Sequence, residues 1–332
     1  MCPENRRNRA LTIRHAFTCR DYPSVCATRD AAAPALSRLQ DRLADTRFVA
    51  YQPTALKVWD GNPVPADAAS IRADLMALRP WFDGLVTYGA HSGAERIPAI
   101  ARDLGYRAVI IGIWNPQDDA EVENALLAWQ EDPDLVTGVS LGNEIVFAGR
   151  GDWSGLTSAV TRLHARAPAL PVTVSEPFSN FLDDPGAAAV LAELDFLAVN
   201  IHPAFEPWFQ DAPPFNWADF VVRVSDRLAT EAFCGPIFVK ETGLPTAPAE
   251  EGFTPEKQAA FWMEIAKQMP RSPGRAFAYF SAFDAPWRVY DFTPDTEKDA
   301  RAVEAHWGLF TENRAPKQAM EKVPRLTPAP AP

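Results

Sequence analysis

Between residues 48 and 323 the chain alternates short, continuous apolar runs with longer stretches in which apolar residues recur every three or four positions. The runs cover 48–51, 84–88, 108–113, 135–141, 172–174, 196–199, 236–239 and 276–283. The stretches between them carry Ile71, Leu75, Leu78 and Phe82; Val122, Leu126 and Trp129; Leu156, Val160, Leu163 and Ala167; Phe220, Val224 and Leu228; and Phe261, Ile265 and Met269. The first kind predicts strands too apolar to be half exposed, and the second predicts amphipathic helices. Thr254-Pro255-Glu256 adds a helix start of its own, a capping hydroxyl followed by proline at the first helical position.

Repeated strand–helix units predict a parallel sheet covered by helices, and eight of them fit a closed (β/α)8 TIM barrel, usually about 250 residues long. The competing architecture is a doubly wound open sheet. No Gly-x-Gly-x-x-Gly or Gly-x-x-x-x-Gly-Lys-Ser/Thr follows any of the runs, so neither a dinucleotide site nor a P-loop is signalled. The expected organisation is an irregular N-terminal segment over 1–35, a catalytic domain over 36–324 and a stiff, proline-rich tail over 325–332.

Composition narrows the partners. A formal charge of -11 and a pI near 5.0 repel nucleic acid and anionic membrane surfaces. No apolar stretch approaches the roughly 20 residues a membrane helix needs. The N-terminus is rich in arginine (Arg6, Arg7, Arg9, Arg14) without the apolar run of a secretory signal. Cys2, Cys19, Cys26 and Cys234 lack the spacing of a zinc site and read as unpaired thiols of a reducing compartment. His91 and Glu95 stand four apart, but His-Glu-x-x-His is missing, so neither metal nor cofactor is expected.

Two glutamates then stand out, each where an apolar run ends: Glu144 in Leu141-Gly142-Asn143-Glu144 and Glu241 in Val239-Lys240-Glu241-Thr242-Gly243. In a (β/α)8 barrel the functional face lies at the carboxyl ends of the strands, and these are strands four and seven, across the mouth from one another. Facing carboxyl groups are what glycosidic bond cleavage requires, one to protonate the departing oxygen and one to attack the anomeric carbon or activate water. Asn143 supplies an amide beside Glu144, and Thr242-Gly243 permits a tight turn that aims Glu241 inward. Sugars also need flat apolar surfaces. Tyr88 and Trp114 end strands two and three, Phe283 and Trp287 follow strand eight, and the loop after strand six offers Asn200, His202, Phe205 and Trp208. Glu176, just past strand five, completes the substrate-binding candidates, among which Trp208 and Trp287 read as platforms.

The segments Leu141-Gly142-Asn143-Glu144, Val239-Lys240-Glu241-Thr242-Gly243-Leu244-Pro245, Ala282-Phe283-Asp284-Ala285-Pro286-Trp287-Arg288 and His306-Trp307-Gly308-Leu309-Phe310, in that order, resemble glycoside hydrolase family 17, a β-1,3-glucanase family of retaining (β/α)8 enzymes. The similarity runs over about 47–320. It implies double displacement on a β-glucan, with Glu144 matching the general acid/base, Glu241 the nucleophile and Asn143 the contact to the sugar 2-hydroxyl. Such carboxyl groups lie about 5–5.5 Å apart. The pKa of Glu144 is then expected to be raised by the charge of Glu241 and by partial burial. The chain departs from the pattern at Leu244, where plant members usually have tryptophan, at His202, often tyrosine, and at Ser281 and Ala285, commonly glutamates in bacterial relatives. The resemblance is closest to a bacterial branch that includes glucosyl-transferring enzymes, and the aromatic loop 205–217 suits either an acceptor sugar or a hydrolase's leaving group.

Two rivals remain. Gly138-Val139-Ser140-Leu141-Gly142 is a literal Gly-x-Ser-x-Gly, for which Asp195 or Asp284 with His306 would complete a serine esterase, although no oxyanion glycine run precedes it. A barrel that binds glycans without cleaving them would keep the aromatics and lose a carboxylate. A polysaccharide substrate points to the periplasm or the exterior, whereas no export signal is legible, so the compartment stays open, as do the oligomeric state, the linkage, and endo against exo action.

Overall fold

A computed structural model describes residues 29–59, 62–290 and 299–327 of the chain. Every predicted apolar run forms a strand: β1 (Phe48–Ala50), β2 (Gly84–Val86), β3 (Ala108–Ile113), β4 (Val136–Leu141), β5 (Val172–Pro177), β6 (Leu197–Asn200), β7 (Ile237–Thr242) and β8 (Arg275–Tyr279). All pair in parallel and in order, and β1 closes the circle by pairing with both β2 and β8, Phe48 lying beside Gly84 and Ala278. The open-sheet alternative is thereby removed. A short antiparallel hairpin, Lys57–Trp59 with Asn62–Val64, decorates the loop after β1.

The helices cover the barrel with the faces their spacing predicted. Ile71, Leu75 and Leu78 are buried on α2 (Ala68–Leu78), Val122 and Leu126 on α4 (Asp119–Glu131), and Leu156, Val160 and Leu163 on α5 (Trp153–Arg166). Val224 and Leu228 do the same on α8 (Pro214–Glu231), as do Phe261 and Ile265 on α9 (Pro255–Gln268). Thr254 caps α9 through Lys257 N–H (3.3 Å), with Pro255 at its first position. Shorter helices, α3 (Ile97–Asp103), α6 (Phe178–Asp183) and α7 (Ala187–Leu191), complete the outer layer.

One helix went unpredicted. α1 (Ala33–Asp45) buries Leu36, Leu39 and Leu43 and packs against both β4 and β8, on opposite sides of the barrel. Only Thr46 and Arg47 separate it from β1, so it crosses the end at which the strands begin, away from their carboxyl ends. It starts inside the stretch expected to be irregular, whose residues 1–28 lie outside the described ones. At the other terminus the first tail residues pack down: Leu326 N–H donates to the Pro80 carbonyl (2.8 Å) and Arg325 lies over the Trp81 ring. Residues 328–332 lie outside the described ones.

The unpaired-thiol expectation fails at Cys234, which is disulfide-bonded. Cys2, Cys19 and Cys26 lie outside the described residues. The spacing that speaks against a zinc site carries no signal for or against a disulfide.

Candidate active site

The loops after the strands enclose a cleft of about 690 Å³ whose walls include Tyr51, Tyr88, Trp114, Asn143, Glu144, Phe283, Trp287 and Arg288. Glu144 reaches it by an unusual turn. β4 ends at Leu141, Gly142 takes a left-handed conformation (φ 72°), and Glu144 takes another (φ 55°). A left-handed non-glycine residue costs roughly 1–2 kcal/mol, so neighbouring groups must hold it. Glu144 N–H donates to the Ser175 carbonyl (2.8 Å), and the Glu176 carboxylate accepts the next free N–H groups, Val146 (2.8 Å) and Phe147 (3.1 Å).

Glu241 arrives by a different device. On one side Val199 pairs with Val239 and Asn200 with Glu241; on the other, Phe277 pairs with Val239 and Tyr279 with Thr242. β7 therefore carries an extra residue at 240–241 relative to both neighbours, a bulge that breaks the alternation of side chains. As a result Lys240 and Glu241 both point into the site. Gly243 follows, and its need is for space: a Cβ there would sit 2.2 Å from the Phe280 carbonyl oxygen.

The polar groups then interlock. Asn200 Nδ2 donates to Glu144 Oε1 (2.9 Å), and His202 Nε2 lies 3.4 Å from Glu241 Oε2. Lys240 is fully buried, with Nζ donating to Asn143 Oδ1 (2.7 Å) and lying 4.5 Å from the centre of the Tyr88 ring. The Ser175 hydroxyl lies 3.2 Å from Asn143 Oδ1 and 3.1 Å from Asn200 Oδ1. Glu241 is 5 % exposed, and the buried Tyr88 hydroxyl lies against its carboxylate.

These surroundings drive the two carboxyl groups apart. Burial and then the charge of Glu241 raise the pKa of Glu144, against the pull of Asn200, His202 and Lys240. Burial alone would raise that of Glu241 too, but the His202 hydrogen bond and the charges of Lys240 and Arg288 outweigh it, and the net shift is downward. Lys240 is pushed by burial down to about 8, against three carboxylates. A carboxyl group whose pKa is raised beside one whose pKa is lowered is the arrangement that acid and nucleophile roles need.

The other substrate-binding candidates divide. Tyr88, Trp114, Asn143, Phe283 and Trp287 line the cleft, and Asn200 and His202 reach it through the two glutamates. Phe205 is 59 % exposed and packs beside His202 and Trp307. Trp208 packs edge-on against Phe220 of α8 and is absent from the cleft wall. Glu176 is buried beneath the Glu144 turn, both oxygens taken by backbone N–H groups. Ser281 and Ala285, the departures from acidic residues, do line the cleft, whereas Leu244 is buried away from it. Ser140 sits inside β4 with its hydroxyl buried and unpartnered, no helix follows it directly, and Asp195 and Asp284 are engaged by Arg29 and Lys317; the esterase constellation is not assembled.

Sequence reasoning missed Lys240, whose signal was a charge inside an otherwise apolar run. It also missed Glu121, which accepts N–H groups from Ala90 (2.9 Å), Trp114 (2.7 Å) and Asn115 (2.9 Å) and so ties the loops after β2 and β3 together. A helical glutamate carries no sequence mark of such a role.

A family model described as the BtgE/BtgC glycoside hydrolase domain matches residues 49–308. A glucan 1,3-beta-glucosidase of Arthroderma benhamiae is 24% identical over 265 residues, covering 76% of this chain and 84% of that protein. A probable beta-glucosidase, btgE, of Aspergillus oryzae is 28% identical over 239 residues, covering 67% of this chain and 35% of the relative, so the chain spans about a third of that protein's length. These relatives are fungal and lend no support to a bacterial branch. Among solved structures, the glycoside hydrolase family 17 beta-1,3-glucanosyltransferase of Rhizomucor miehei superposes with a TM-score of 0.63 at 24% identity over 82% of this chain and 95% of that one. An endo-laminarinase from Formosa Hel1_33_131 gives 0.65 at 19% over 85% and 86%. At these identities the structural likeness is one of fold.

Proposed function

The chain belongs to the BtgE/BtgC glycoside hydrolase domain family, and from that premise we propose that residues 36–324 form a catalytic unit that cleaves or transfers β-linked glucan, foremost β-1,3-linked, by double displacement at Glu144 and Glu241. The observation that carries this reading is that the ends of β4 and β7 bring Glu144, on the cleft wall, and Glu241 into one hydrogen-bonded cluster with Asn143, Asn200, His202 and Lys240, and the shifts of the two carboxyl pKa values in opposite directions agree with it. The ionised Glu241 attacks the anomeric carbon while Glu144 gives its proton to the departing glycosidic oxygen. Glu144, now ionised, takes a proton from water or from a sugar hydroxyl, and that oxygen displaces Glu241 from the anomeric carbon. Asn143 offers its amide to the 2-hydroxyl, a contact that strengthens in the transition state.

Flat apolar surface suits stacked glucose rings. Trp114, Trp287 and Phe283 supply it within the cleft, and the exposed Phe147 and Phe205 extend it along the loops after β4 and β6. Both carboxylates are present, which favours catalysis over binding alone. The experiment is incubation with an end-labelled β-1,3-glucan oligosaccharide, followed by mass over time. Shorter products alone mean hydrolysis, and shorter and longer products together mean transfer. No change on any β-glucan would refute the proposal.

A further inference from the structure

Lys240 is the group in the site that the double-displacement scheme leaves without a task. It is fully buried on β7, next to Glu241, and reaches the site only because of the bulge. Burying an ammonium is costly unless its hydrogen bonds and charges are answered. Here Nζ donates to Asn143 Oδ1 at 2.7 Å, the Tyr88 ring lies against it, and Glu241, Glu144 and Glu176 face it from its own strand, from the loop after β4 and from β5.

We propose that Lys240 is a positioning residue, which turns the Asn143 amide so that its NH2 faces the sugar 2-hydroxyl and supplies the positive charge against which Glu144 and Glu241 work. The inference rests on the proposed glucan chemistry and deepens it. An amide has two ends, and the other neighbours of Asn143 hold the choice only weakly: the Ser175 hydroxyl donates or accepts, and the contact from Asn200 Nδ2 is long at 3.4 Å. An ammonium only donates. The 2.7 Å bond therefore pins Oδ1 inward, and no hydrogen bond to Asn143 Nδ2 is made among the described residues, which leaves that NH2 for the substrate. Lys240 also pulls down the pKa of both catalytic carboxyl groups. At about 8, its own value leaves it charged at neutral pH and below.

The test compares wild type, Lys240→Met and Asn143→Ala on a β-glucoside and its 2-deoxy analogue, with pH profiles of kcat/KM. In wild type the missing 2-hydroxyl costs roughly a hundredfold in kcat. In Lys240→Met that penalty falls to within about threefold, kcat drops by roughly 10- to 100-fold with KM little changed, and both limbs of the pH profile move to higher pH. A simple packing defect lowers the rate and leaves the penalty and the limbs in place, which overturns the proposal while the glucanase reading stands. If Lys240→Met does not fold, Asn143→Ala decides with Lys240 intact: loss of the 2-deoxy penalty supports the proposal, and its retention overturns it. Wild-type protein inactive on every β-glucan sinks both the reading and this inference.

Discussion

Glu176 offers the sharpest single test of how the cleft is built, because its residue type suggests a sugar contact and its location a structural prop. Its carboxylate holds the backbone N–H groups of Val146 and Phe147, two and three residues after Glu144, and it is 1 % exposed. Burial raises its pKa from 4.5 to about 6 despite those hydrogen bonds, with the charge of Glu144 adding to the rise. The folded state therefore binds this proton more tightly than the unfolded chain does. Stability from this group is fully present below about pH 4.5 and is lost as pH rises through about 6. The rise from 4.5 to about 6 corresponds to about 2 kcal/mol. Glu176→Gln removes the titration, so the stability of wild type relative to the variant should fall by about 2 kcal/mol between pH 4 and pH 7, read by urea unfolding across that range. A gap that stays constant, or widens toward pH 7, refutes the electrostatic argument. Kinetics test the prop itself: Glu176→Gln should lower kcat through a misplaced Glu144 and change KM less than threefold. A tenfold rise in KM with kcat intact would instead restore the sugar contact.

Glu241→Ala should abolish turnover and be partly rescued by azide with formation of an α-glycosyl azide, identified by NMR; a β-azide, or no product, counts against its nucleophile role. Glu144→Ala should spare the first step for substrates with good leaving groups, such as dinitrophenyl glycosides, while losing natural oligosaccharides; equal losses on both sink the acid/base assignment. Away from the site, Thr254→Ala removes the cap on α9 and should cost about 1 kcal/mol in urea unfolding with kcat/KM unchanged.

The pattern of apolar residues carried the architecture because two periods are enough to specify it. Runs such as 108–113 are too short for a helix and rich in β-branched residues, which suits strands buried on both faces, and β3 is buried throughout. The capping signal at Thr254-Pro255 is local chemistry and was legible for the same reason. α1 escaped notice although Leu36, Leu39 and Leu43 carry a helical spacing, because one short amphipathic turn pattern beside a featureless segment is weak evidence until its partners are known.

Residue type and strand-end position were enough to pick out Glu144 and Glu241, but not to say which carboxyl pKa would fall. That difference comes from Asn200, His202, Lys240 and Arg288, contributed by β6, the loop after it, β7 and the loop after β8, and brought together only when the barrel closes. Strict alternation would point Lys240 and Glu241 to opposite faces; the bulge, a matter of register between three strands, turns both inward. Glu176 and Trp208 show the reverse case, residue types that suit sugar binding but whose side chains the packing assigns to a backbone turn and to Phe220. Local sequence thus determined the elements, their order and the two carboxylates, since each depends on neighbours along the chain. Tertiary structure decided the direction of each pKa shift, orientation and access, which depend on burial and on charges that meet only in space.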